Sequence, residues 1–162
     1  MESYDHSAMF GFMIEDRSRG RVRAGKGGRP FITYVLCDED VARVKRAVEI
    51  LSRVFLAAGA DRVLPNVHGF DELTGEADLG RFRAARLRAR DFDLSAYHPL
   101  GTARMGLDPR TSVVSPDHTL HDAPNVYVTD GSAVPSSLAV NPQLTIMALA
   151  TRAADGLAAR LG

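Results

Sequence analysis

The spacing of apolar and polar residues changes period several times along the chain. Ala8 to Asp16 (A-M-F-G-F-M-I-E-D) is apolar and short, which predicts a strand rather than a helix. Arg17 to Gly20 supplies a turn, and Arg21 to Ala24 alternates charged with apolar side chains. Pro30 to Leu36 is rich in β-branched and aromatic residues and predicts another strand. Together these segments predict an antiparallel meander. Asp38, Glu39 and Asp40 then put negative charge where a helix would begin. Val41, Val44, Val48, Leu51, Phe55 and Ala58 recur with helical spacing until Gly59 ends the run.

Between Pro65 and Asp78 the pattern dissolves into loop, and Leu79 to Arg90 predicts a second helix. That helix carries Arg81, Arg83, Arg86, Arg88 and Arg90, which read as a solvated face. A phosphate-binding or single-strand-binding role is disfavoured because no aromatic residues interleave with the arginines. The chain loosens after Asp91 until His98. Asn125 to Thr129 predicts a strand, and Pro142 to Leu161 a long, alanine-rich closing helix.

Composition narrows the class. A chain of 162 residues suffices for one domain with a real core, and 45% apolar and 25% charged residues are ordinary for a globular protein. Twenty basic and twenty acidic side chains cancel, so no global field steers the chain toward nucleic acid or anionic lipid. The lone Cys37 excludes an internal disulfide framework and a thiolate metal cluster. No apolar run approaches the ~20 residues of a membrane helix. The residues after Met1 (E-S-Y-D-H-S) hold no hydrophobic secretory core. A cytoplasmic setting is the expectation.

Three short blocks carry candidate chemistry. Asn141 precedes Pro142, the residue types favoured at the cap and first turn of a helix, and Leu144, Met147, Ala148 and Thr151 continue the helical spacing. A helix start carries unpaired N–H groups and partial positive charge, suited to an anion or to a group that becomes anionic. Asp130-Gly131-Ser132 follows a strand, where polar groups gather at the edge of an α/β sheet. His98 stands before Pro99, which holds its backbone extended. A histidine is well matched to taking a proton near neutral pH. Each block alone is ordinary: a cap, a turn dipeptide, a lone histidine.

A fourth cluster, S-P-D-H-T-L-H-D, groups His118 and His121 with Asp117 and Asp122. Ligands on a hairpin are compatible with this spacing. No fixed metal motif matches it, so no metal site is assigned.

Taken jointly, the H-P-L-G-T-A-R-M-G run from His98, the N-V-Y-V-T-D-G-S strand end and the N-P-Q-L-T helix start resemble the carboxyl-terminal part of the glucose-methanol-choline (GMC) oxidoreductases. The resemblance is strong from Tyr97 onward and diffuse before it. It implies an α/β fold class, as an α+β segment. A strand meander and helix would come from a substrate-binding domain, and a strand and long helix would return to an FAD-binding domain. Residues 1–92 would belong to the former and 93–162 to the latter.

The resemblance also implies an FAD-dependent oxidoreductase acting on CH–OH groups of a small-molecule alcohol. His98 would face the flavin as catalytic base, paired with Asn141 at a position that is histidine in some members and asparagine in others. Asp130 and Gly131 would contact the phosphate-ribityl region. The backbone of Pro142 and the side chain of Thr145 would lie near the isoalloxazine ring. Alcohol oxidation removes a proton from oxygen and a hydride from carbon, and a helix start can stabilise the negative charge that develops.

No G-x-G-x-x-G run is present to seat a pyrophosphate, and G-K-G-G-R at Gly25 to Arg29 has the wrong spacing. The expected partner is therefore a missing amino-terminal FAD-binding half. The competing expectations are a non-catalytic remnant without flavin, and metal-dependent hydrolysis through His118 and His121.

Overall fold

The computed structural model describes residues 4–162; Met1, Glu2 and Ser3 of the polar start lie outside the described residues. Strand β1 (Arg21–Ala24) pairs antiparallel with β2 (Pro30–Thr33), with Arg21 opposite Thr33 and Val22 opposite Ile32. Ala8 to Asp16 forms no strand, so the expected meander is a single hairpin. That segment lies against α1 (Asp38–Ala57) instead: Phe10 meets Phe55 edge-to-face at 5.1 Å, and Arg43 Nη1 donates to the Glu15 carbonyl at 2.6 Å. Strand propensity describes fitness for a pleated, half-buried surface, and here no neighbouring strand offers one. β2 also stops short of Leu36, where Tyr34 turns its hydroxyl to Asp16 Oδ2 at 2.5 Å.

Helix α1 starts at the acidic triplet, and the chain leaves it through Gly59 at φ +96°. Val41, Val44 and Val48 are buried, whereas Ala58 is exposed at the helix end. Helix α2 (Glu76–Ala84) begins and ends earlier than the sequence predicts. At its start, Asp78 Oδ2 accepts from the Thr74 N–H and hydroxyl, both at 2.8 Å. At its end, Lys45 Nζ donates to the carbonyls of Arg83 (2.7 Å) and Ala85 (2.6 Å), satisfying terminal acceptors that the helix itself leaves unpaired. Arg86, Arg88 and Arg90 therefore lie beyond the helix, and the expected arginine face does not form. Arg81 pairs with Asp78 at 2.6 Å, and Arg83 with the buried Glu49 at 2.9 Å.

The segment read as loop from Pro65 to Asp78 holds isolated bridges, Val67 to both Phe70 and Phe92, and Leu73 to Val63. It contributes to the main core, in which Val44, Val48, Val67, Leu73, Leu79, Phe82 and Phe92 are buried together. Phe70 packs on Phe82 edge-to-face at 5.1 Å.

Further along, β3 (Thr119–Leu120) pairs antiparallel with β4 (Ala123–Tyr127), two residues earlier than predicted for the latter. Helix α3 (Gln143–Leu161) closes the chain. Its inward stripe is Ile146, Leu149, Ala153 and Leu157; the Leu144–Met147–Ala148–Thr151 spacing falls on the exposed side. An alanine-rich helix is apolar around much of its circumference, so period alone does not select the face. With three helices and two small antiparallel sheets, the chain is an α/β segment, as the sequence implies. Among the described residues no helix is long and apolar enough to cross a membrane.

Asp40 ties the amino-terminal segment to α1. Fully buried, its Oδ2 accepts from Arg17 N–H (2.8 Å), Ser18 N–H (2.7 Å) and Ser18 Oγ (2.5 Å), while Arg43 Nη1 lies 3.3 Å from Oδ1. Burial pushes its pKa up. Hydrogen bonds from Ser18, Arg17 and Cys37 outweigh that, and the net shift is downward from the ordinary 3.8. A depressed folded-state pKa stabilises the fold at neutral pH, and the contribution is lost as pH falls through the folded value. Asp40→Asn should cost about 2 kcal/mol near neutral pH, the scale of hydrogen bonds to a buried charge. Its Tm should also fall less steeply than wild type on acidification below about pH 4. Thermal unfolding at a series of pH values checks this, and parallel acid limbs would show that Asp40 does not govern them.

Candidate active site

Backbone knits the three sequence blocks together. The N–H groups of Gly101, Ala103 and Met105 donate to the carbonyls of Gly131 (3.3 Å), Ser132 (3.0 Å) and Ala133 (2.9 Å). The segment after His98, irregular in the sequence, thus runs alongside the Asp-Gly-Ser turn. Gly101 sits at φ +76°, and a Cβ there would lie 3.2 Å from the Val134 carbonyl oxygen. At Gly131 a Cβ would come within 3.1 Å of Leu100 Cδ2, 3.2 Å of Ile146 Cδ1 and 3.3 Å of the Pro99 carbonyl oxygen. One glycine therefore brings the residue after His98, the strand end and the first turn of α3 into contact. Only a residue without a side chain fits there unstrained.

Within the turn, Asp130 Oδ1 accepts from Ser132 N–H at 2.8 Å and from Ser132 Oγ at 2.5 Å. The Ser132 hydroxyl, then its amide, holds the Asp130 pKa below the usual carboxylate value. One carboxylate oxygen is thus committed to shaping the turn, while Oδ2 has no side-chain partner among the described residues.

Pro142, fully buried, occupies the capping position of α3, and no side chain caps the helix. The expected cap, Asn141, is exposed and makes no such bond. A proline needs no N–H partner and its φ is already helical, so it starts the helix without that help. The first bond within the helix runs from Ile146 N–H to the Pro142 carbonyl at 2.9 Å, so the N–H groups of Gln143, Leu144 and Thr145 precede any internal acceptor. Two residues upstream of Asn141, Ala139 takes the left-handed conformation at φ +56°. Strained backbone of this kind gathers at functional sites.

His98, Asn141 and Thr145 are all exposed, and their side chains hold no hydrogen bond or ion pair among the described residues. The backbone is assembled while these candidate side chains face outward. Leu100 and Ile146, the apolar walls around Gly131, went unnoticed in the sequence. The signal was there: Gly101, Ala103 and Met105 alternate as a ladder-forming strand would.

The second histidine cluster divides. His118 is buried, and its Nδ1 lies 3.0 Å from the Val128 carbonyl. The Nε2 of His121 lies 2.9 Å from Ser112 Oγ and 3.2 Å from the Gly106 carbonyl. Ser112 in turn donates its hydroxyl proton to the Asp108 carbonyl at 2.7 Å. A carbonyl only accepts, so His121 Nε2 carries a proton, and Ser112 is not activated by it. The two rings line separate cavities, with Asp122 beside His121 and Asp117 beside His118.

Gly131→Val should overpack the junction and cost about 1–3 kcal/mol, whereas Gly131→Ala, whose neighbours need yield only slightly, should cost less. Denaturant unfolding of the two variants checks the order; equal losses would mean that the junction is looser than these distances indicate.

The chain matches the GMC oxidoreductase family over residues 16–150. An uncharacterized GMC-type oxidoreductase of Mycobacterium tuberculosis is 34% identical over 154 residues, 95% of this chain and 24% of that protein. A long-chain-alcohol oxidase of Arabidopsis thaliana is 25% identical over 158 residues, 93% of this chain and 21% of that protein. A 2-methyl-1,2-propanediol dehydrogenase of Mycolicibacterium austroafricanum is 47% identical over 64 residues, 40% of this chain and 12% of that protein. The chain spans about a quarter of the length of the first of these relatives. With its motifs interlocked at Gly131 and its sequence matched over most of its length, the chain belongs to the GMC oxidoreductase family, as a carboxyl-terminal segment.

Proposed function

We propose that this chain is the catalytic carboxyl-terminal segment of an FAD-dependent oxidoreductase that acts on CH–OH groups of alcohols. The observation that carries the reading is the junction at Gly131, which holds the His98 segment, the Asp130 turn and the start of α3 in one place. The relatives named above as an alcohol oxidase and a diol dehydrogenase support the substrate class. Residues 1–92, ending at the buried Phe92, would belong to the substrate-binding domain. Residues 93–162 would belong to the FAD-binding domain.

The residues present fit one end of such a cofactor. The open first turn of α3 offers N–H donors and partial positive charge, and the lack of a Cβ at Gly131 lets backbone approach a ligand closely. A bound flavin would supply the acceptor for the hydride that leaves the alcohol carbon. His98 takes the proton of the alcohol hydroxyl onto a ring nitrogen as general base. Asn141 offers its carboxamide to the same hydroxyl and fixes its orientation. The Gln143, Leu144 and Thr145 N–H groups favour negative charge developing beside them. Asp130 keeps the turn in shape through Ser132, and it and Gly131 would hold the ribityl-phosphate region, while the Pro142 backbone and the Thr145 side chain would hold the ring.

In the intact oxidoreductase, with the amino-terminal half joined or supplied in trans, His98→Ala should lower kcat by roughly two to four orders of magnitude while flavin stays bound. Stopped-flow reduction by an alcohol, alongside flavin absorbance, measures both; a kcat within a few-fold of wild type would make His98 structural. Asn141→Asp places a negative charge beside the same centre without improving any cap, since Asn141 makes none. It should lower the flavin reduction potential, and an unchanged potential with unchanged turnover would remove Asn141 from the site. The 162-residue chain alone should purify without yellow colour and fail to reduce a dye with alcohol and added FAD, because it lacks a pyrophosphate cradle. A yellow, active monomer would overturn the assignment of the chain as a segment.

A further inference from the structure

The charges of this chain cancel overall, twenty basic against twenty acidic, but they are not evenly spread. From Arg17 to Cys37 there are six cations and no aspartate or glutamate. Arg17 pairs with Glu39 of α1. Among the described residues, the side chains of Arg19, Arg21, Arg23, Lys26 and Arg29 hold no hydrogen bond or ion pair. Elsewhere basic side chains are mostly engaged: Arg43, Arg46, Arg53 and Arg83 meet carboxylates of α1 and α2, and Arg110 meets Asp108. Residues two apart on a strand stand about 7 Å from one another, inside the Debye length of about 10 Å at 0.1 M salt. Five unpaired cations within eleven residues therefore sum to a local positive potential that the net charge of zero conceals.

The hairpin that carries these cations is two-faced. Residues directly opposite on paired strands share a face of the ribbon. Arg21 opposite Thr33 and Arg23 opposite Phe31 make one face; Val22 opposite Ile32 and Ala24 opposite Pro30 make the other. All eight of these residues are exposed, Phe31 by 60% and Ile32 by 65%. The ribbon thus stands clear of the core, with a cationic face that includes an aromatic ring and an apolar face behind it. At its tip, Lys26 and Arg29 flank Gly27 and Gly28, where an added Cβ would meet nothing within 4 Å. The tip is unobstructed.

The two faces together narrow the partner. A nucleic acid neutralises the cations but leaves Val22 and Ile32 in water, and the cationic face offers one aromatic ring where a single strand wants a series. An anionic bilayer surface serves both faces. Its acyl boundary takes the apolar side chains, while the arginines lay their stems along the ribbon and return their guanidinium groups to the headgroup phosphates. A ribbon is about 10 Å thick through its side chains, close to the 5–10 Å or so over which interfacial elements settle.

We propose that the β1–β2 hairpin is a docking arm for an anionic lipid surface, with Val22 and Ile32 at the acyl boundary and Arg19, Arg21, Arg23, Lys26 and Arg29 on the headgroups. The contact is peripheral. It is independent of the alcohol chemistry at His98 and requires no flavin.

The test is co-sedimentation of the 162-residue chain, and of the intact oxidoreductase, with vesicles of phosphatidylcholine alone or mixed with phosphatidylglycerol. Both proteins should bind the anionic vesicles at least roughly tenfold more tightly than the neutral ones, and the preference should fade as salt rises toward about 1 M. Arg21→Gln combined with Arg23→Gln should weaken that binding roughly tenfold or more, since each cation near such a surface contributes about fivefold. Ile32→Ser, at an exposed position, should weaken it severalfold while leaving its salt dependence unchanged. Arg86→Gln combined with Arg90→Gln removes as much unpaired charge outside the hairpin and should leave binding within about twofold of wild type. Equal binding to both kinds of vesicle, or an equal loss in the two arginine pairs, sinks the proposal. Binding by the 162-residue chain that the intact oxidoreductase lacks does so too, because the rest of the protein would then cover the hairpin. Tighter binding to a duplex oligonucleotide or to polyglutamate than to the anionic vesicles would replace the lipid with a nucleic acid or an acidic protein.

Discussion

At Gly131 even a methyl group would crowd its neighbours, and the carboxyl-terminal half of the molecule is organised around that close approach. Leu100, Ile146 and the Pro99 carbonyl close on the position from two other segments of the chain. The contacts are short-range dispersion and exclusion, individually small, but they act together with three backbone hydrogen bonds from residues 101, 103 and 105. The result orients the chain next to His98, the turn after β4 and the open end of α3 relative to one another. Precision comes from backbone, apolar packing and the Asp130–Ser132 bonds of the turn, whereas the exposed side chains of His98, Asn141 and Thr145 contribute nothing to it.

The amino-terminal half solves the opposite problem. There, buried carboxylates do the tying. Asp40 accepts five bonds, from Arg17, Ser18, Cys37 and Arg43, that tie the preceding segment to the first turn of α1. Glu49 is buried in the middle of the same helix, where burial alone would raise its pKa, but bonds from Arg83 and Arg46 overcome this and lower it. Through Arg83 it joins α1 to α2, and Lys45 adds a second link at the end of α2. A buried charge is tolerable only when its partners are complete. Here they are, so loss of a single partner should propagate to both helices that the carboxylate joins.

What was legible in the sequence follows from how local each signal is. Helix α1 was readable because its acidic start, valine stripe and terminal glycine agree within one segment. The lack of a strand over Ala8 to Asp16 was not, because strand propensity says nothing about whether a neighbour exists. The end of α2 was misread because Lys45, far away in sequence, closes it at Ala84. The buried face of α3 was not legible because alanine and leucine occur on several sides of it. The candidate site was legible as motifs, while its assembly was not: Leu100 and Ile146 look like ordinary apolar residues until Gly131 is placed between them. Asn141 looked like a cap, and proline made the cap unnecessary.

That last difference bears on the chemistry. Had Asn141 capped α3, its carboxamide oxygen would be tied to a backbone N–H and unavailable to a substrate. Since it is not, both the carboxamide and the first N–H groups of the helix stay open, facing solvent next to exposed Leu144 and Met147. Open polar donors beside apolar side chains are poorly served by water, which solvates one and is repelled by the other. The exposed start of α3 therefore presents unpaired polar donors and the apolar Leu144 and Met147 side by side.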